Sequence, residues 1–369
     1  MTYGTVNADT LVTSTSGGIL GAGDASIMKN RIINGAMVVS QRNGTSSVTP
    51  ANADYTLDRF QYIASQASKI TIQQNAGSAT LPVGFTNYLG ATSSSAYSIA
   101  AGDYFAILQT IEGFNIADLG WGTASAKTVT LSFQVYSSLT GTFGGSIRNS
   151  AANRSYPYTY SIPVANTWTT VSVTIAGDTS GTWGIGNGAG LVLGFGLGVG
   201  STYSGTAGSW AATNYVSATG ATSVVGTSGA TFYITGVQLE VGSSATGFEY
   251  VNYQTSLANC QRYYYNHVKG TTLYVGMGDF YVPAQADVGI NFPVTMRTTP
   301  TLDSTYGTNY YYLYGGATNG TVSNFWSILW ASTSGTFIYV TPDYSGTAGN
   351  AIRAKTNNAS SLISFSAEL

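Results

Sequence analysis

The stretch Thr231-Phe232-Tyr233-Ile234-Thr235-Gly236-Val237-Gln238-Leu239-Glu240-Val241 limits what this chain can become more than any other. Its β-branched and aromatic residues suit a pleated, half-buried strand and not a helix. The same text recurs. Val129-Thr130-Leu131-Ser132-Phe133-Gln134-Val135 and Thr169-Thr170-Val171-Ser172-Val173-Thr174-Ile175 alternate apolar with polar residues, so each buries one face. The second runs into the turn-formers Ala176-Gly177-Asp178-Thr179-Ser180-Gly181, and then into Leu191-Val192-Leu193-Gly194-Phe195-Gly196-Leu197-Gly198-Val199-Gly200. A strand bare of side chains on one face predicts that another backbone or sheet approaches closely there.

From residue 29 to 253 the pattern of short strands and turn clusters reads as a β-sandwich. One helix is credible, at 256–265, capped by Thr255 or Ser256 and carrying Leu257, Cys260 and Tyr264 at helical spacing. It is expected to link two domains over residues 254–269. Residues 270–369 return to strand text near 273–275, 288–292, 310–314, 326–330, 337–340 and 362–365, a second and smaller β domain. Thr299-Pro300 and Thr341-Pro342 mark strand ends, because proline donates nothing to a ladder. The sparse apolar positions of residues 1–28 close no core, and this segment reads as an attachment segment or a tail.

Composition narrows the chemistry. Charged residues make up 8% of the chain against about 25% in typical soluble proteins, so its polarity comes from Ser, Thr, Asn and Gly. Thirteen Lys and Arg with a net charge of -2 give no patch to neutralise a row of phosphates, which argues against nucleic acid as a partner. No run approaches the ~20 apolar residues of a membrane helix, and the N-terminus lacks the pattern of a signal peptide. The expectation is synthesis in a cytoplasm without membrane insertion. His267 is the only histidine, a surface or inter-domain residue on this reading, and Cys260 the only cysteine, read as buried and inert. Neither a Gly-Lys P-loop nor a Gly-x-Ser-x-Gly elbow occurs. Glycoside hydrolysis needs two carboxylates, and Glu112, Glu240, Glu249 and Glu368 are the glutamates, with capping and turn roles the simpler reading. No cofactor is indicated, although the turns holding Asp118 and Asp178 leave room for a structural calcium ion.

The remaining wealth is aromatic, with 27 tyrosines and six tryptophans. Tyr156, Tyr158 and Tyr160 alternate and share a strand face, and Tyr310, Tyr311, Tyr312 and Tyr314 crowd together near Trp326 and Trp330. Flat rings stack on the apolar faces of sugars, and the same side chains pack well between subunits. All nine are candidates for glycan binding or an interface.

Asn30-Arg31-Ile32-Ile33-Asn34-Gly35-Ala36-Met37 with Gln41-Arg42, followed by Tyr55-Thr56-Leu57-Asp58-Arg59-Phe60, resembles the opening of a jelly-roll domain found in bacteriophage tail-fibre and related virion proteins. The likeness continues through Ile111-Glu112-Gly113-Phe114-Asn115, Leu119-Gly120-Trp121-Gly122-Thr123-Ala124, Gly236-Val237-Gln238-Leu239-Glu240-Val241-Gly242, Ala245-Thr246-Gly247-Phe248-Glu249 and Cys260-Gln261-Arg262-Tyr263-Tyr264-Tyr265. Phe292-Pro293-Val294-Thr295-Met296-Arg297-Thr298-Thr299-Pro300 and Ala367-Glu368-Leu369 resemble the C-terminal module of phage fibre proteins. The resemblance implies a carbohydrate-binding-module-like jelly roll, a non-catalytic, glycan-facing role and a homotrimer in the virion. Residues 1–28 would then meet other tail or baseplate proteins, and host cell-surface polysaccharide would be the partner at the other end. Gln134 and Phe60 stand where such domains often carry tryptophan, and Gly247 where proline is common. The missing ring at Gln134 shifts the expected glycan site to the C-terminal domain. The alternatives are a head or tail decoration protein without a receptor role, and a polysaccharide-degrading tailspike.

Overall fold

The computed structural model describes residues 11–12, 19–20, 28–315, 318–324 and 326–369. The expected virion-attachment segment, residues 1–28, therefore lies outside the described residues apart from Met28 and the antiparallel pair Leu11–Val12 and Ile19–Leu20. The rest is all-β with one short α-helix and two single 3-10 turns, Gly113–Asn115 and Ala117–Leu119.

Two antiparallel sheets form the first domain. One runs in the order Ser155–Ile162, Gly141–Asn149, Ala189–Val199, Tyr104–Glu112, Phe60–Ala64, Tyr55–Leu57. The other runs Thr169–Ile175, Val129–Ser137, Thr231–Val241, Leu89–Ser93, Ile70–Gln74. Alternation works as the sequence requires: Phe105, Ile107, Leu193 and Phe195 from the first sheet meet Leu131, Phe133, Val135 and Leu239 from the second in one jelly-roll core. Each such side chain stabilises the fold by about 1.5–3 kcal/mol. The glycine-bare face of 191–200 is approached as predicted. A Cβ at Gly196 would stand 2.7 Å from Ser217 Oγ, because the crossing that carries Tyr203 and Val216 lies over this face against Ala106 and Leu108.

The opening motif is a polar staple. Asn30 Oδ1 accepts from the amides of Ile32 and Leu239, its Nδ2 donates to the Val237 carbonyl, and Asn34 Nδ2 donates to the carbonyls of Val39 and Asp58. Gly236 sits at φ 62 inside the long strand, where the ladder slips between Thr235 and Gln238, and the Phe85 ring fills the space a side chain would need.

The helix begins and ends earlier in the chain than expected. It runs Tyr253–Gln261 and is capped by Asn252, whose side chain accepts the Thr255 amide at 2.9 Å, not by Thr255 or Ser256. Tyr264 belongs instead to the strand Tyr264–Lys269, so the segment 254–269 is half helix and half the first strand of the second domain. Two rings stop the helix from continuing: Tyr263 lies 3.6 Å from the Arg59 guanidinium and Tyr264 3.5 Å from that of Arg42.

The second domain is a smaller sandwich. A seven-stranded sheet runs Thr318–Val322, Tyr311–Gly315, Ala351–Thr356, Tyr274–Val282, Gln285–Asn291, Gly335–Val340, Ser327–Ala331, and it packs on a three-stranded sheet of Tyr264–Lys269, Leu362–Ser366 and Thr301–Ser304. A buried ion network joins the domains. Arg59, 1% exposed, donates to Glu368 and to the Thr110 carbonyl, Arg42 reaches Glu368 at 3.2 Å, and Arg262 forks onto Glu112 at 2.6 and 3.0 Å. Tyr55 donates to the Leu369 carbonyl across the same boundary.

Candidate functional site

Five of the nine candidate aromatics are core residues. Tyr156, Tyr158 and Tyr160 do share a face, but it is the inner one: they stand opposite Ile147, Gly145 and Phe143 and are 9%, 1% and 6% exposed. Tyr158 uses the room above Gly145 to donate to the Gly194 carbonyl at 2.8 Å. Burial pushes the hydroxyls of Tyr158 and Tyr160 far above the usual phenol range. Tyr311 and Trp326 fill the second core edge to face, with Tyr311 donating to the carbonyls of Thr305 and Leu362. The correction has one cause. Alternation shows that residues share a face, and only the partner sheet decides whether that face is covered. Tyr310 is half-buried against the same core.

Tyr312, Tyr314 and Trp330 point outward from the seven-stranded sheet. The ladder sets Asn319, Tyr314, Arg353 and Met277 in one row, and Phe337 beside Trp330 farther across the same sheet. Trp330 is 68% exposed, Met277 63%, Phe337 43% and Tyr314 37%. A second row sets Tyr312 opposite Lys355 and Lys355 opposite the exposed Tyr274. The Tyr312 and Tyr314 rings lie 4.7 Å apart. Lys355 Nζ is 5.4 Å from the Tyr314 ring and the Arg353 guanidinium 5.9 Å. At this end Met277, Tyr314, Asn319 and Arg353 line a hollow of about 520 Å³. A flat apolar face flanked by cations and an amide can take a sugar ring by stacking and its substituents by hydrogen bonding.

Arg353, Lys355, Met277 and Phe337 were not anticipated from the sequence. Their signal was present for three of them: Phe337 lies in a strand that the sequence located, and Ala351-Ile352-Arg353-Ala354-Lys355-Thr356 alternates, but Ala and Lys are weak strand formers.

The first domain has its own ring cluster. Tyr88, Tyr136, Trp168 and Tyr233 lie on the outer face of the five-stranded sheet, with Tyr136 and Tyr233 stacked at 5.2 Å. These rings spend their faces on one another, and Trp168 Nε1 donates to the Thr80 carbonyl. Gln134 beside them is bonded to Thr170. A cleft of about 630 Å³ opens between this domain and the helix, lined by Asn30, Glu112, Phe114, Tyr250, Asn259 and Arg262 among others.

The polar candidates are engaged internally. Glu112 is held by Arg262 and Tyr263, Glu240 by Gln238 and Thr246, Glu249 by the Asn30 amide at 2.6 Å, and Glu368 by Arg42 and Arg59. Burial acts to raise the Glu112 carboxyl, but the Arg262 guanidinium and the Tyr263 hydroxyl hold it below its ordinary 4.5. Asp178 forks onto Arg154 at 2.6 and 2.7 Å, and Asp118 onto Arg31 at 2.8 Å. A calcium ion at either would have to displace a guanidinium. Burial pushes the Cys260 thiol far up. His267 is neither a surface nor an inter-domain residue: it lies inside the second domain, partly buried. Its Nε2 donates to the Val275 carbonyl at 2.6 Å, so Nδ1 accepts from Tyr265 at 3.0 Å. Burial lowers its pKa below 6.5.

No protein-family profile and no curated protein sequence matches the chain. Among solved structures, the enzymatically active domain of tailspike protein 4 from bacteriophage CBA120 aligns at 14% identity and TM-score 0.32, covering 58% of this chain and 22% of that one. A family 4 carbohydrate-binding module aligns at 14% and 0.29, covering 57% and 98%. A family 11 module of a Clostridium thermocellum cellulase aligns at 11% and 0.27, covering 55% and 99%. These likenesses are too distant to carry a function from any of them.

Proposed function

We propose that this chain is a non-catalytic structural protein of a phage tail fibre, a homotrimer that attaches the virion to its host by holding cell-surface polysaccharide on the outer face of the second domain. The observation that carries this reading is the aromatic sheet face on which Tyr314, Phe337 and Trp330 are exposed, with the half-buried Tyr312 beside them. Stacking on such a face is weak per ring, and three symmetry-related copies turn weak sites into useful attachment. The engagement of all four glutamates and the neutral, bonded His267 support a role without catalysis. Residues 1–28 are the part assigned to virion docking.

A glycan array probed with the chain and with Trp330→Ala tests this. The wild type binds a subset of bacterial polysaccharides, the variant loses them while folding normally, and no spot is depolymerised. Binding that survives the substitution would remove the face from the reading.

A second reading, a decoration protein without a receptor role, draws on the exposure of Met277 and Phe337. Apolar patches of this kind also serve contacts between subunits. In that case Trp330→Glu dissociates the oligomer in sedimentation, whereas on the attachment reading the oligomer persists.

A further inference from the structure

We infer that the ligand of this face is an acidic saccharide, one whose ring bears a carboxylate or a phosphate, and that Arg353 and Lys355 select it. The inference rests on the glycan reading above and names its substrate class. It starts from how a charge-poor chain spends its 13 cations. Arg31 and Lys127 pair with Asp118, Arg42 and Arg59 with Glu368, Arg154 with Asp178, and Arg262 with Glu112. Arg148 donates to Asn214, while Arg297, Lys29 and Lys269 donate to backbone carbonyls.

Among the described residues this leaves three cations with neither a carboxylate nor a carbonyl partner: Lys69, which lies over the Tyr97 ring, Arg353 and Lys355. Two of the three stand two residues apart on one strand, on one face, directly across the ladder from Tyr314 and Tyr312. Arg353 also lines the hollow of about 520 Å³, a volume within the general range of small-molecule sites. The acids on the same face do not answer these charges. Asp279 stands opposite Ala351, one row beyond the pairing of Met277 with Arg353, and forms no ion pair with either cation, while Asp287 accepts from Gln285.

Exposed cations are cheap to leave solvated, so their presence alone decides little. Their placement decides more. A sugar ring seated on Tyr314 brings its substituents within reach of a guanidinium fork, which matches a carboxylate or a phosphate in geometry as well as in charge. Neutral sugars gain the stacking but not the fork.

The test is a binding titration of the full chain with trigalacturonate and with the neutral galactotriose of equal length. One charge-assisted hydrogen bond is worth about a tenfold difference in affinity, so trigalacturonate is expected to bind at least about tenfold tighter. Arg353→Gln combined with Lys355→Gln erases the preference, and Tyr314→Ala weakens both ligands. Raising salt from about 50 to 500 mM reduces only the acidic ligand's advantage. Glucuronate against glucose 6-phosphate separates a carboxylate from a phosphate specificity. Equal binding of the two trisaccharides, or a preference that survives the glutamine pair, overturns the acidic class and leaves the glycan reading standing. Binding of neither, or binding indifferent to Tyr314→Ala, overturns both.

Discussion

Both domains bury tyrosines and tryptophans in their cores, and the second also leaves a row of rings open on one sheet face. In the first, Trp121, Trp183 and Trp210 pack edge to face with centroids 4.8 to 5.5 Å apart, and each indole N–H donates to a backbone carbonyl. Tyr156, Tyr158 and Tyr160 are equally enclosed. In the second, Tyr274, Tyr314, Phe337 and Trp330 stand open on a sheet that, among the described residues, is covered on only one side. Amphipathic rings serve both ends because they bury area and still carry a polar handle. The difference teaches that abundance of aromatics marks neither a core nor a binding face. What separates them is whether the strand's outward row is covered by a partner.

Trp183→Ala breaks the inward half of this comparison. Truncating a buried ring in a packed core costs about 3–5 kcal/mol, measured as a shift in a denaturant midpoint. A cost below about 1 kcal/mol would mean the tryptophan cluster is a surface ornament. Glu368→Ala acts on the boundary between the halves. It leaves Arg59 buried without its carboxylate, at a cost of about 3 kcal/mol, and it splits one calorimetric transition into two as the domains uncouple.

Acid titration separates the domains by a smaller effect. His267 has its pKa lowered, so the unfolded chain takes up a proton first as pH falls. Stability of the second domain is then complete above 6.5 and declines from there toward the folded value. Glu112 has a depressed pKa, so its contribution at the junction is present above 4.5 and is lost only as pH falls through the lower folded value. His267→Gln keeps a donor for the Val275 carbonyl and flattens the upper part of the profile. An unchanged profile would mean that His267 titrates alike in both states. The smallest effect is Trp330→Ala, which changes stability by no more than about 0.5 kcal/mol because no core depends on that ring.

Much of the fold was legible in the residues. The strand Thr169–Ile175 falls where alternation placed it and Thr231–Val241 where its β-branched and aromatic residues did, and the close approach to the glycine-bare strand followed from its missing side chains. The helix was found but placed three to four residues too late: its Asn252 cap was missed, and at its end contacts of Tyr263 and Tyr264 with two arginines outweigh local helical spacing. The site was legible only in part. Tyr312, Tyr314 and Trp330 were singled out together with Tyr158 and Tyr311, and nothing local distinguishes them. Burial depends on which sheet lies opposite, a long-range property absent from any single strand. Tyr136 and Tyr233 were within reach of the same argument, as both sit on the outward parity of strands the sequence located.

Hydroxyl-radical footprinting of the intact protein, with and without a bound polysaccharide, addresses the inward and outward use of aromatics in one measurement. The account predicts rapid labelling of Trp330 and Tyr314, their protection on adding polysaccharide, and negligible labelling of Trp183 and Tyr158 in either state. Trp330 as protected as Trp183 in the free protein, or labelling of Trp330 and Tyr314 unmoved by polysaccharide, would contradict it.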